Sequence, residues 1–216
     1  MVDRGGEDSG RPLHTERIPT KANKPLVTER IRVSEPSASI GNMGMWLLIA
    51  ALAVLFGAIL VGYLVIRSRA PEWPPPGSPA LPAGLWVSTA LLFLQSILLA
   101  LSERSIRNGR PDGGTRMLGT GMLVGIAFLG TQVANWMRMA AGNVLPAQSL
   151  LVWGFYVLSF LHAVHVLAGL VPMILITLRA RRGRYTAADF EGVHLVGMYS
   201  HFLLVTWIAI MAVLSF

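Results

Sequence analysis

Five long apolar runs, none holding an Asp, Glu or Lys, restrict what this chain can fold into more than any other feature. They occupy about 44–66, 85–101, 117–137, 150–178 and 193–215 of the 216 residues. Crossing about 30 Å of hydrocarbon takes about 20 residues of α-helix, and only helices or a closed barrel satisfy their backbone there. A barrel would show alternating segments of about ten residues, and the sequence has none. The runs therefore predict an all-α, polytopic membrane helix bundle with five transmembrane helices. The second run is the shortest and the fourth the longest, so the fourth helix is expected to tilt or protrude. Charged residues make up only 13% of the chain, against about a quarter in a soluble domain. The deficit corresponds to surface that faces lipid.

The charges that remain are clustered, and the arginines set a topology. Arg104, Arg107, Arg110 and Arg116 follow the second run, Arg179, Arg181, Arg182 and Arg184 follow the fourth, and Lys24, Arg30 and Arg32 precede the first. Arg67, Arg69 and Arg138 lie on the opposite side. By the positive-inside rule the N-terminal tail and both Arg-rich loops are cytoplasmic and the C-terminus is outside. The net charge of +7 thus reads as topology and lipid-headgroup contact rather than as a nucleic-acid surface. Residues 1–42 form a polar tail rich in Gly, Ser, Pro and Thr. It is too poor in apolar surface to offset ordering entropy, so disorder or a partner-dependent path is expected. Its opening, MVDRGGEDSG, has no apolar core, and no cleavable signal peptide is expected there. The cluster PEWPPPGSP between the first two runs predicts a stiff, extended connection. The chain has no Cys, which excludes disulfides, thiolate metal sites and cysteine nucleophiles. No internal repeat of the kind that builds many transporters is visible.

Polar groups at membrane depth are costly, so each one needs a reason. In the third run Gln132, Asn135 and Trp136 read as interhelical hydrogen-bonding groups, and Gly121, Gly125 and Ala127 as a small-residue packing face. His162 and His165 are three apart, on one face of the fourth helix, and His194 and His201 share a face of the fifth. Counted along antiparallel helices at about 1.5 Å per residue, His165 and His201 reach similar depth. Three readings stay open for these histidines. They could bond between helices or hold lipid head groups and water; they could hold a haem between two facing imidazoles, for which only that one pair fits; or they could form a metal site or proton relay. The last lacks a carboxylate at the same depth, the nearest acids being Asp189 and Glu191 at the mouth of the fifth helix. No Ser-His-Asp set, phosphate-cradling Gly loop or paired carboxylates occurs, so no catalytic or metal-ligating residue is assigned.

Several motifs, taken in order, resemble the haem-copper oxidase subunit III family. GMWLLIAALAVLFGAILVGYLVIRSR followed by EWPPPG resembles that family's corresponding helix and loop. GFYVLSFLHAVHVLAGL, residues 154–170, resembles its Tyr-x-Leu-Thr-Gly-x-His-x-x-His-Val-x-x-Gly run through Tyr156, Leu158, His162, His165, Val166 and Gly169. Glu191 and then YSHFLLVTW are similar to its Tyr-Trp-His-Phe-Val-Asp-x-x-Trp signature through Tyr199, His201, Phe202 and Trp207. LGTQVANW resembles a further segment through Gln132 and Trp136. The resemblance covers about residues 43–216, and five helices rather than seven match the shorter bacterial form. Leu52, Asn135 and Leu204 stand where the family commonly has acids, and Ser200 stands where it has Trp. Roles resting on those carboxylates are not carried over.

The resemblance implies a non-catalytic accessory subunit of a respiratory terminal oxidase in the bacterial inner membrane. Such a subunit holds no haem or copper of its own, these being expected in partner subunits. It packs against the catalytic haem-copper subunit I and other oxidase subunits, binds phospholipid and supports proton uptake during aerobic electron transport. Carried onto this chain, the resemblance implies lipid-binding or helix-clamping roles for His162, His165, Glu191, His201 and Arg182. A subunit III-like component of a quinol oxidase or a nitric oxide reductase stays open. From a different class, so does a haem-bearing membrane electron carrier or a small transporter.

Overall fold

The computed structural model describes residues 37–75, 77–186 and 189–215. Among these residues five α-helices form: α1 (Ser37–Arg67), α2 (Gly84–Arg107), α3 (Pro111–Ala141), α4 (Leu150–Arg181) and α5 (Glu191–Ser215), with a short 3-10 turn at Pro146–Gln148. All five are long and apolar enough to cross a membrane, and no strand occurs among the described residues. The chain is an all-α, multi-pass membrane protein. Of the expected polar tail, residues 1–36, with Lys24, Arg30 and Arg32, lie outside the described residues. Residues 37–42 are not tail but the first turns of α1.

Every helix outruns the apolar run that announced it or ends with it. Hydropathy reports the thickness of the hydrocarbon, whereas the backbone ladder continues wherever polar side chains can reach water. The segment 104–116, expected as an Arg-rich loop, is therefore mostly helix. Only Asn108–Arg110 connect α2 to α3, with Gly109 at φ 73° in the left-handed region. The helix ends carry charge in the sense the helix dipole favours: Arg67, Arg107, Arg138 and Arg181 in last turns, Asp112 and Glu191 in first turns. Pro111 opens α3 where its missing N–H costs nothing. Ser149 caps α4 by accepting from the Val152 N–H at 3.3 Å.

Lipid tails are as apolar as leucine, so hydrophobicity does not drive these helices together, and close packing and hydrogen bonds must. The packing device is a large side chain seated on a glycine of the neighbouring helix. A Cβ on Gly154 would strike the ring of Tyr63, on Gly169 that of Tyr199, on Gly114 the Ile106 side chain, on Gly125 the Gln95 amide and on Gly84 the Asn135 amide. The small-residue face of α3 is accordingly Gly114, Gly121 and Gly125, all buried. Ala127, expected on that face, is exposed, because it lies two residues from Gly125 and so points well away from it around the helix.

α5 is the central helix, packed on α1, α2 and α4, and α3 closes the far side by packing on α2 and α4. Half of the apolar window of α5 is buried, against 11% for α1, so α1 presents nearly all its surface outward. The connection after α1 is not simply extended. Bends at residues 70–74 carry Trp73 back against Tyr63, ring centroids 6.1 Å apart, and beneath Arg67 at 4.4 Å. Arg67 Nη1 also donates to the Val213 carbonyl at 2.9 Å, tying the ends of α1 and α5 together.

Candidate functional site

The polar residues of the membrane interior fall into a central aromatic cage and a seam between α2 and α5. His162 is fully buried at the centre of the cage. Its ring lies 5.0 Å from Trp207 of α5, 5.8 Å from Phe128 of α3 and 6.3 Å from Phe56 of α1. Trp207 in turn donates its indole N–H to Thr89 of α2 at 2.9 Å, so all five helices meet around one imidazole. Neither ring nitrogen of His162 has a hydrogen-bond partner. Phe56 and Phe128 meet it edge to face and Trp207 at a tilt, so the cage packs the imidazole on three sides.

His165, one turn on, faces a different way. It is half-buried against Phe56, 5.0 Å between ring centroids, with Nδ1 at 2.7 Å from the Leu161 carbonyl of its own helix. A carbonyl only accepts, so Nδ1 is the protonated nitrogen. Tyr199 of α5 crosses to the same turn of α4 and donates to the His165 carbonyl at 3.0 Å, its ring lying over Gly169. Trp136 of α3 donates to Ser159 of α4 at 2.9 Å, and the Tyr156 hydroxyl donates to the Val144 carbonyl at 3.1 Å. Gln132 is fully buried with neither amide atom hydrogen-bonded, and Asn135 is buried with Nδ2 unpaired. Glu191 stands beneath Gly41 of α1, and Arg182 is exposed at the C-cap of α4.

His201 turns toward α2, its Nδ1 bonded to the Ser96 hydroxyl at 2.5 Å. His165 and His201, although similar in depth, thus face different helices and do not form an opposed pair. His194 also faces α2, its Nδ1 at 3.1 Å from a Glu103 carboxylate oxygen, which is 3.5 Å from Arg107. The acid that meets His194 is therefore Glu103, and the reading that put Asp189 and Glu191 as the nearest acids is corrected. Glu103 lies two residues beyond the apolar run, on the last turns of α2, antiparallel to the start of α5. Among the described residues no three His, Asp or Glu side chains are grouped to hold a metal.

Sequence reasoning missed the polar side of this seam, although α2 carries a signal for it. Ser88, Gln95 and Ser102 repeat every seven residues and are buried. Ser88 bonds Thr131 at 2.9 Å, Ser102 donates to the Gly114 carbonyl at 2.7 Å, and Gln95 lies against Gly125, all on α3. Thr89, Ser96 and Glu103, each one residue later, bond Trp207, His201 and His194, all on α5. Two adjacent heptad stripes thus join α2 to two neighbours.

A family model described as cytochrome c oxidase subunit III matches residues 36–216. The chain belongs to the cytochrome c oxidase subunit III family. It is 27% identical over 201 residues to the cytochrome c oxidase subunit 3 of Synechocystis sp., covering 92% of this chain and 85% of that one. It is 26% identical over 170 residues to a cytochrome bo(3) ubiquinol oxidase subunit 3 of Pseudomonas aeruginosa, covering 79% and 81%. With a probable cytochrome c oxidase subunit 3 of Nocardia farcinica it shares 25% over 194 residues, covering 88% and 94%. Read as a subunit III, the chain uses its motif residues as joints between helices: Trp136 on Ser159, Tyr199 on Gly169 and the His165 carbonyl, Trp207 on His162 and Thr89, His201 on Ser96. Leu52 and Leu204, at positions where the family commonly has acids, pack into the same apolar core as Trp207.

Proposed function

We propose that this chain is the non-catalytic subunit III of a respiratory haem-copper terminal oxidase in a bacterial inner membrane, stabilising the catalytic subunit. The observation that carries this reading is the family match over residues 36–216, joined to what its motif residues do. The His165 ring packs on Phe56 of α1, and Tyr199, His201 and Trp207 bond to neighbouring helices, which suits a scaffold. The matched relatives are bacterial and are named as subunits of both cytochrome c and quinol oxidases. We favour a cytochrome c oxidase, with haem and copper in partner subunits and none held by this chain. Phospholipid binding and support of proton uptake belong to the same proposal, with Arg182 and Glu191 at the charged end of the bundle and His162, His165 and His201 clamping helices.

The orientation follows from the arginines. α1 and α5 start, and α2 and α4 end, at the end of the bundle that carries Arg104, Arg107, Arg116, Arg179, Arg181 and Arg182. The positive-inside rule puts that end in the cytoplasm and Ser215 outside. Affinity purification of the tagged chain in a mild detergent, with mass spectrometry of what accompanies it, tests the assignment. A larger membrane subunit at equal stoichiometry is expected, with haem bands in the reduced-minus-oxidised spectrum. Recovery of this chain alone, with no haem-bearing partner, would refute it.

A further inference from the structure

α2 gives way to α3 through Asn108–Arg110 alone, and the turn begins with Asn108–Gly109. The chain has five asparagines, and Asn108 is the one followed by glycine. An asparagine amide is open to attack by the backbone nitrogen of the next residue, which closes a five-membered imide ring. A side chain on that next residue obstructs the attack, and glycine has none. Both residues are exposed, and nothing lies within 4 Å of where a Cβ of Gly109 would stand. Asn135, by contrast, is buried and precedes Trp136, and the exposed Asn143 precedes the branched Val144.

The charges around the pair favour the reaction. The attacking nitrogen must first lose its proton, and Arg107 and Arg110 flank the pair as exposed cations that stabilise the anion so formed. Arg104 joins them in a groove of about 410 Å³ whose lining also takes in Asn108, Glu103 and His201. The helix end opposes it: the Gly109 N–H donates to the Ile106 carbonyl at 3.0 Å, and Asn108 has a ψ of 15°, from which it must turn for the ring to close. These are the last bonds of α2, at an end of the kind that frays, so the barrier is a local opening rather than unfolding of the bundle. Asp112, followed by Gly113 in the first turn of α3, offers a carboxylate, a poorer electrophile than an amide.

We propose that Asn108 is a site of spontaneous deamidation, in which Gly109 and solvent water turn its amide into a carboxylate beside Arg104 and Arg107. The Gly109 nitrogen bonds to the Asn108 side-chain carbonyl carbon, the bond to the amide nitrogen breaks, and ammonia leaves with the proton that the Gly109 nitrogen gave up. Water then opens the imide at one carbonyl or the other, giving aspartate or isoaspartate. Either product places a negative charge at the C-terminal end of α2, where the dipole disfavours it. It stands one turn from Arg104 and next to Arg107, which is now 3.5 Å from Glu103. Isoaspartate also adds a backbone carbon inside the turn that the Ser105 hydroxyl and the Arg110 carbonyl close at 3.0 Å. The positive charge of this end of the bundle thus falls with the age of the chain. The step needs only water and holds whatever complex the chain joins.

Incubating the full chain in mild detergent, in heavy-oxygen water at physiological temperature, and then mapping its peptides by mass spectrometry tests the site. Asn108 is expected to gain the mass of an acid carrying one heavy oxygen about tenfold or more faster than Asn143, the ratio set by about 1.4 kcal/mol of barrier. The rate should rise from mildly acidic to mildly alkaline buffer, and an isoaspartyl methyltransferase should label the product at residue 108. Asn108→Gln, whose longer side chain closes a ring far more slowly, should show neither signal there while the rest of the map is unchanged. The peptide spanning Arg107–Asp112, incubated free in the same buffer, is the control for the chemistry. A folded chain whose Asn108 stays intact while the free peptide converts overturns the proposal, because the end of α2 would then be held shut. Conversion of Asn143 at an equal or greater rate overturns it as well.

Discussion

Replacing Gly169 by Ala puts one methyl group into the contact between α4 and α5. Its Cβ would overlap Cε1 of Tyr199 and lie 2.8 Å from Cδ1, inside any real carbon–carbon contact. The Tyr199 ring is buried, and its hydroxyl is held at 3.0 Å by the His165 carbonyl. The ring can swing away only by breaking that bond, or the helices must part. Overpacking of this kind costs about 1–3 kcal/mol, and an interhelical hydrogen bond in a membrane averages about 0.6 kcal/mol. Together they give an expected loss of about 1.5–3.5 kcal/mol. Reversible unfolding of the purified chain in mixed micelles of rising SDS content, followed by tryptophan fluorescence, measures it. Gly130→Ala is the control, since nothing lies within 4 Å of its Cβ position. Tyr199→Leu, which shortens the obstructing side chain, should make Gly169→Ala cost about 1 kcal/mol less than it does alone, the coupling expected of residues in contact. A Gly169→Ala chain within about 0.5 kcal/mol of the Gly130→Ala control would refute the interlock.

Three shorter predictions test other joints. His162→Leu, which replaces a buried ring with unpaired nitrogens by an apolar side chain, should cost less than about 1 kcal/mol or stabilise in the same SDS titration; a loss above about 2 kcal/mol would mean the imidazole has a partner. Glu103→Gln should cost less than about 1 kcal/mol at low salt, because His194 is 38% exposed, and the difference should vanish at about 1 M salt; a large, salt-independent loss in thermal unfolding would contradict a solvent-screened pair. Single cysteines introduced into this Cys-free chain at Pro75 and Arg182 should react with an impermeant maleimide in intact cells at 75 and not at 182; the reverse pattern overturns the orientation.

The apolar runs made the helices legible, because membrane burial demands about 20 uninterrupted apolar residues whatever the neighbours do. Their ends were not legible, since Ser102–Arg107 looks like a loop to hydropathy and is the turn that brings Glu103 to His194. The motif residues drew attention to α4 and α5, and His194 and His201 both face α2. What they face depends on which helix packs there, and one helix's own periodicity does not contain that. Depth suggested His165 opposite His201, whereas His201 turns to Ser96 of α2 and His165 to Phe56 of α1. The partners on α2 were readable in retrospect as two seven-residue polar stripes, 88-95-102 and 89-96-103. Small hydroxyls inside an apolar run attract little notice beside histidines. The glycine seats show the same limit: Gly154 and Gly169 are visible in the sequence, and the tyrosines that fill them come from α1 and α5.

The central claim, that this chain supports an oxidase without holding its redox centres, is tested most directly by taking the complex apart. The complex purified through the tagged chain is treated with stepwise stronger detergent until the chain dissociates, and reduced-minus-oxidised spectra are recorded for both fractions. The account predicts that all the haem absorbance stays with the larger partner and that the released five-helix chain is colourless. A Soret band that follows the released chain, and is lost on His165→Gln or His201→Gln, would contradict it and make this subunit an electron carrier.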